Sequence, residues 1–139
     1  MKVEVYHSLP KDAVWIRETV FVQEQGFREE FDGIDHRAIH FVLYDGAEPV
    51  ATCRLFDDAE NERSYILGRF AVCRSRRGSG VGRALMEAVE DYARGQGIRQ
   101  IRLHAQCRVE GFYQRLGFLS YGEIEPEEGC PHIWMKKQI

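Results

Sequence analysis

Residues 64–83 read SYILGRFAVCRSRRGSGVGR. Over Ser64–Val72 the side chains alternate with the period of a strand: Tyr65, Leu67, Arg69 and Ala71 on one face, Ile66, Gly68, Phe70 and Val72 on the other. Gly68 is the odd member, because a glycine inside a strand marks a bulge or the close approach of another backbone. Gly78, Gly80 and Gly82 then recur at every second position. From within this loop a helical spacing begins, carried by Val81, Ala84, Leu85, Ala88, Val89 and Tyr92. Glycines allow φ > 0 and let the backbone approach a bulky ligand. The unpaired amides of a helix's first turn, together with the helix dipole, favour an anion there. Arg74, Arg76, Arg77 and Arg83 surround those amides, so the unit reads as a strand feeding an anion cradle at a helix N-terminus.

Two familiar phosphate loops fail on this stretch. A Walker loop ends in Gly-Lys followed by Ser or Thr, whereas Gly82 is followed by Arg83 and Ala84. A dinucleotide fingerprint counted from Gly78 requires a third glycine at position 83, which is Arg83, and an acidic residue some way downstream. The segment IRQIRLHAQ after Gly97 supplies none.

Outside this unit the pattern is that of one mixed α+β domain over residues 1–139. A strand at 3–7 precedes a helical stretch opened by Pro10 and Asp12, whose apolar side runs through Val14, Ile16, Val20, Phe21 and Val22 to Gly26. Residues 33–37 are turn-like. Runs at 39–44 and 50–56 flank DGAEP, a hairpin signal with Asp-Gly at the turn and Pro49 at the edge of the returning strand. After the helix stopped by Gly95 and Gly97 come a strand at 101–105, a short helix at 109–116 ended by Gly117, and strands near 118–121 and 132–136.

Composition narrows the function classes. The 139 residues are 44% hydrophobic, enough for one core, and the formal charge of −3 argues against broad nucleic-acid binding. No apolar run is long enough for a membrane span and MKVEVYHSLPKD lacks the apolar segment of an export signal, so a cytoplasmic protein with no membrane partner is expected. Cys53, Cys73, Cys107 and Cys130 form no CxxC pair and are expected as free thiols, and no metal site is signalled. His36 and His40 are four apart, but on turn and strand rather than on a helix. Cys107 or Cys130 as a nucleophile is less favoured than two semi-buried thiols, because no motif sets a histidine beside either.

The pattern Arg77-x-x-Gly80-x-Gly82 resembles the acyl-CoA pyrophosphate loop of the GNAT superfamily of N-acyltransferases. The strand before it and the FYQRLGF segment at 112–118 stand in that superfamily's order. The chain is further similar to a subgroup of small bacterial members with a VFVxEQ segment at 20–25, an Asp-x-x-Asp stretch followed by a histidine within 32–40, and PHxxM at 131–135. The resemblance implies a twisted, mostly antiparallel sheet with a splayed pair of parallel strands and flanking helices. It implies acetyl-CoA as co-substrate, held by Phe70, Ala71 and Val72 on the splayed strand and by Arg77, Gly78, Ser79, Gly80, Val81, Gly82 and Arg83 in the loop. Gly68 would supply the bulge of that strand.

The implied reaction moves an acetyl or other acyl group from the thioester to a primary amine by direct attack in a ternary complex. The coenzyme carries the activated group; the protein must hold the oxyanion, protonate the leaving thiolate and render the amine neutral. A backbone N–H near 70–72 would hold the oxyanion, and Tyr113 matches the family's general acid. Many members carry a glutamate on the strand before the loop, whereas Ser64–Val72 has no carboxylate. Another residue or a water chain must then serve: Glu24 and His132 are the candidate bases, with His104 at the end of a strand beside the splay, and the alternative is a solvated helix residue for Glu24 and hydrogen-bonded strand residues for the histidines. The alternatives are a non-catalytic acyl-CoA-binding sensor on the same fold and a nucleotide or phosphate-sugar binder. The acceptor is an amine of a small molecule or a protein. The acidic stretches 57–62 and 123–128 either draw a cationic acceptor or are simply solvated. Similar proteins are often homodimers.

Overall fold

A single seven-stranded sheet organises the computed structural model, which describes residues 1–27 and 31–139. Along the chain run β1 (Lys2–Tyr6), α1 (Lys11–Arg17), β2 (Ile39–Asp45), β3 (Glu48–Asp57), β4 (Ser64–Val72), α2 (Val81–Gly95), β5 (Gln100–Gln106), α3 (Glu110–Arg115), β6 (Leu119–Glu127) and β7 (Cys130–Gln138). The strand order is β1-β2-β3-β4-β5-β7-β6, and every neighbouring pair is antiparallel except β4 and β5. That parallel pair needs a crossover, which the loop and α2 provide. The result is the mixed α+β sheet that the sequence leads one to expect.

Helices cover both faces. Leu85, Met86, Val89 and Ala93 of α2 are buried against Phe41, Leu43, Leu55, Leu67 and Ile101 of the sheet, and Tyr113 and Leu116 belong to the same cluster. On the other face Ala13 and Ile16 of α1, with Val20 and Phe21, pack on Val42 and Ala71. Each large apolar side chain so buried contributes about 1.5–3 kcal/mol, which explains why the amphipathic spacing of α2 predicts its placement. Gly97, at φ +79, ends that helix as the sequence suggests, with the Ile98 N–H donating to the Ala93 carbonyl.

The hairpin closes on Gly46–Ala47, with Asp45 opposite Glu48, and Pro49 sits in β3 at an irregularity of the ladder, where a missing N–H does least harm. Three local expectations are revised. The helical stretch after Pro10 changes character: α1 continues as a wider π-helix over Glu18–Glu24, with the Gln25 N–H reaching back five residues to Val20. The turn-like segment 33–37 contains a short 3-10 helix, Gly33–His36, closed by a capping box between Asp32 and Asp35. The β4 bulge falls one residue beyond Gly68: the register with β3 slips between Arg54–Gly68 and Thr52–Ala71, and Arg69 takes φ +48.

Candidate active site

β4 and β5 pair only from Ser64–Gln100 to Leu67–Leu103. Beyond that point β4 follows β3 and β5 follows β7, so residues 68–72 of β4 carry no ladder bond toward β5. The bulge at Arg69 turns β4 away, and the gap opens into a cleft of about 1040 Å³. Phe70, Ala71, Val72, Arg77, Gly78, Gly80, Gly82, Arg83, Tyr113, Glu24 and His132 all line this cleft. The structure thus brings both sets of candidate residues together, except for two side chains. Ser79 turns its hydroxyl back onto the Arg76 carbonyl, and Val81 is buried in the core, leaving only their backbone for a ligand.

The loop has the geometry of an anion site. Gly78 and Gly80 adopt φ +80 and +83 with open space where a Cβ would stand. α2 has no side-chain cap, and its first internal bond runs from the Ala84 N–H to the Gly80 carbonyl, so the amides of Val81, Gly82 and Arg83 are left for other acceptors. Gly82 serves a different need. A Cβ there would lie 2.8 Å from Cζ of Phe112, so its smallness admits that ring rather than a ligand. Arg76 anchors the loop to the β2–β3 hairpin through Asp45 at 2.6 Å and Glu48 at 3.0 Å.

The π-helical segment roofs the cleft, and its last residues tie down both edges of the gap. Glu24 accepts two hydrogen bonds from Arg77, of 2.6 and 2.9 Å, while Arg77 Nε donates to the Val72 carbonyl at 3.0 Å. Arg77 holds the Glu24 carboxyl below its ordinary range. Next to it, Gln25 accepts from Gln106 at the end of β5, at 2.9 Å. The VFVxEQ segment thereby gains a physical role: its Glu and Gln bridge the β4 side and the β5 side.

Tyr113 is brought to the cleft by an aromatic cluster. Its ring meets Phe70 of β4 edge-on at 6.0 Å, Phe112 at 5.1 Å and Phe118 at 6.0 Å. It is only 8% exposed, and burial pushes its phenol above the ordinary tyrosine range, so the hydroxyl keeps its proton at neutral pH. A protonated phenol beside the edge of β4 can act as a proton donor.

The opposite wall comes from β5 and β7, where His104 pairs with Trp134 and Gln106 with His132. The His104 ring stacks on Trp134 at 4.8 Å and lies 5.0 Å from that of His132. Glu127, from the end of β6, reaches both: Oε1 is 3.0 Å from His104 Nδ1 and Oε2 is 3.5 Å from His132 Nε2. Trp134 is itself held by Arg102, whose guanidinium lies 4.6 Å from the ring centroid. Arg102 is fixed by Asp58 at 2.6 and 2.9 Å. Asp58 is buried and none of residues 57–62 lines the cleft; through Arg102 that acidic loop supports the wall.

A buried ion network, not anticipated from the sequence, supports the roof. Asp35 takes both guanidinium nitrogens of Arg17 at 2.8 and 3.0 Å and shares Arg54 with Asp32. Asp32 also meets Arg69 of the bulge at 3.3 Å and, with Arg54 and Arg69, lines the cleft. This is the work of the Asp-x-x-Asp stretch. Its following histidine, His40, is fully buried and bonds the Asp35 carbonyl. All four cysteines are free thiols, and no group of ligands suited to a metal occurs among the described residues.

Comparison with known proteins gives a consistent picture. The sequence model of the Acetyltransferase (GNAT) family matches residues 3–118. A Bacillus subtilis protein described as the uncharacterized N-acetyltransferase YjcF is 37% identical over 131 residues, spanning 91% of each chain. The crystal structure of Escherichia coli ElaA superposes with a TM-score of 0.85 at 27% identity over 98% of both chains. An acyl-CoA N-acyltransferase from Pseudomonas aeruginosa does so with a TM-score of 0.82 at 27% identity, again over 98% of both.

Proposed function

Because the chain belongs to the acetyltransferase (GNAT) family, we propose that it transfers an acetyl group from acetyl-CoA to a primary amine by direct attack within a ternary complex. The observation that carries this reading is the parting of β4 from β5 beyond Leu67 and Leu103, with the glycine loop at one end of the gap and Tyr113 beside it. The fit to the coenzyme rests on the left-handed glycines and the uncapped start of α2.

Acetyl-CoA would supply an acyl group already activated as a thioester. In this reading the amides of residues 78–83, with Arg77 and Arg83, bind its pyrophosphate. The unpaired edge of residues 70–72 orients the pantetheine arm and stabilises charge on the carbonyl oxygen. Tyr113 gives its phenolic proton to the departing sulfur as the nitrogen–carbon bond forms and the carbon–sulfur bond breaks. Of the two candidate bases, Glu24 has both carboxylate oxygens engaged by Arg77. His132 is therefore the better-placed acceptor of the amine's proton.

Free-thiol release from acetyl-CoA across a panel of primary amines tests this reading. Release that depends on both protein and amine is expected. Saturable acetyl-CoA binding with no release for any amine would favour a sensor on the same fold.

A further inference from the structure

We propose that Glu127 is the carboxylate that receives the acceptor's ammonium group, held in place by His104 and passing the ammonium proton to His132. The inference rests on the acyltransferase reading and deepens it, because it identifies the base and the charge state in which the acceptor arrives.

Hydrogen-bond directions on this wall fix the Nδ1 atom of each histidine as a donor. The Glu127 carboxylate can only accept, so His104 Nδ1, 3.0 Å from Oε1, carries the hydrogen and donates it. His104 Nε2 is then a lone pair, buried and without a partner among the described residues, so this ring serves to hold the carboxylate. The Nδ1 of His132 lies 2.7 Å from the Cys130 carbonyl, so it too carries a hydrogen. In a neutral ring its Nε2 is therefore a lone pair, 3.5 Å from Glu127 Oε2. Two lone pairs face one another there until a proton arrives, and a proton between them satisfies both. His132 itself is 4% exposed and cannot meet an acceptor broadly, whereas the Glu127 side chain is 47% exposed and lines the cleft.

A primary alkyl ammonium is the partner such a carboxylate selects. The ammonium docks on Glu127, its proton crosses Oε2 to His132 Nε2, and the nitrogen is left with the lone pair it needs for attack; the second proton, shed as the amide forms, replaces through water the one that Tyr113 gives to the sulfur. His132 becomes an imidazolium with both N–H groups bonded, to Cys130 and to Glu127, and later returns the proton to water. The charged groups around the pair are Glu128 beside Glu127, Glu125 opposite His132 in the β6–β7 ladder, Arg102 beneath Trp134, and Arg69 and Arg108 on the same cleft.

The test uses the full chain with acetyl-CoA, propylamine and putrescine. Long-range proton–nitrogen spectra of the histidine rings should show His104 and neutral His132 in the Nδ1–H form. Putrescine added to the coenzyme A-saturated protein should shift the His132 Nε2 signal, and Glu127→Gln should abolish that shift. With the amine turned over best, Glu127→Gln should lower kcat/KM by about a hundredfold, within the range for general acid–base catalysis, and move the acidic limb of its pH profile while leaving the acetyl-CoA Kd unchanged. His104→Gln, which keeps a donor to the carboxylate, should retain more activity than His104→Ala. An Nε2–H form of His104, or full kcat/KM and an unshifted pH profile in Glu127→Gln, would overturn the assignment. Failure of the wild-type protein to bind acetyl-CoA would instead overturn the acyltransferase reading, and calorimetry reports that separately.

Discussion

Arg77 grips Glu24 through two parallel hydrogen bonds, of 2.6 and 2.9 Å, across 53 residues of sequence, joining the anion loop to the helix that roofs the cleft. The same guanidinium is the loop's opening cation, so under the proposed function it would be shared between two anions, the carboxylate of the roof and the pyrophosphate. Gln25 bonds Gln106 on the far side of the gap, so the roof is secured on both sides and does not depend on Glu24 alone.

Replacing Glu24 with Gln should therefore tighten acetyl-CoA binding. The pair is partly exposed, with side-chain exposures of 40% and 24%, and such pairs are worth about 0–1 kcal/mol. Releasing Arg77 from it should improve Kd by up to about fivefold. Calorimetry reads the change. Weaker binding in Glu24→Gln would mean that Arg77 serves the roof rather than the donor.

Tyr113→Phe should separate binding from chemistry. The phenylalanine keeps the ring contacts with Phe70, Phe112 and Phe118, so stability and acetyl-CoA affinity should hold. Loss of the proton donor should lower kcat by about a hundredfold or more. A rate equal to wild type would remove Tyr113 from the reaction.

The two glycines of the Gly80-x-Gly82 pair should fail for different reasons. Gly80→Ala forces a Cβ into a left-handed position, costing about 1–2 kcal/mol, with no neighbour to relieve it. Gly82→Ala drives a methyl against Phe112, whose ring is backed by Phe70 and Tyr113, at a cost of about 1–3 kcal/mol. Trimming Phe112 to Leu should recover part of the second loss and none of the first, as read by thermal denaturation of single and double variants.

Acid sensitivity should fall on two buried carboxyls, Asp35 and Asp58, the second held at about 2 chiefly by its hydrogen bonds with Arg102; Asp35 is the one to test. Burial pushes its carboxyl up, yet the hydrogen bonds and charges of Arg17 and Arg54 prevail and hold it at about 2, against an ordinary value of 3.8. A depressed folded-state value gives stability that is present above the unfolded value and lost as pH falls through the folded one. That contribution, about 2 kcal/mol, should persist above pH ~4 and vanish toward pH ~2. Asp35→Asn should lose about 3–5 kcal/mol at neutral pH and weaken the dependence in that window, leaving the part due to Asp58, as measured by denaturant titration at several pH values.

What could be read from the sequence was local. β4, the glycine loop and α2 lie within a few dozen residues, and their period, glycines and arginines are short-range signals that survived intact. The role of Asp32 and Asp35 was not legible, because their partners Arg17 and Arg54 are set by the packing of α1 on β3 rather than by spacing. The bulge was expected at Gly68, the residue with the least backbone cost, but falls on Arg69, whose guanidinium is tied to Asp32 at 3.3 Å. The helical run after Pro10 carries no visible marker for its π-helical end. In the sequence Glu127 is one member of an acidic run that either draws a cationic acceptor or is solvated; only the pairing of β5, β7 and β6 sets it between two histidines from separate strands.

The central claim, that the gap between β4 and β5 receives an acyl-CoA, is tested most directly by titrating acetyl-CoA into the protein in a calorimeter. The account predicts saturable binding to one site per chain, competed by coenzyme A and not by ATP. Absence of saturable binding, or displacement by ATP as effective as by coenzyme A, would contradict it.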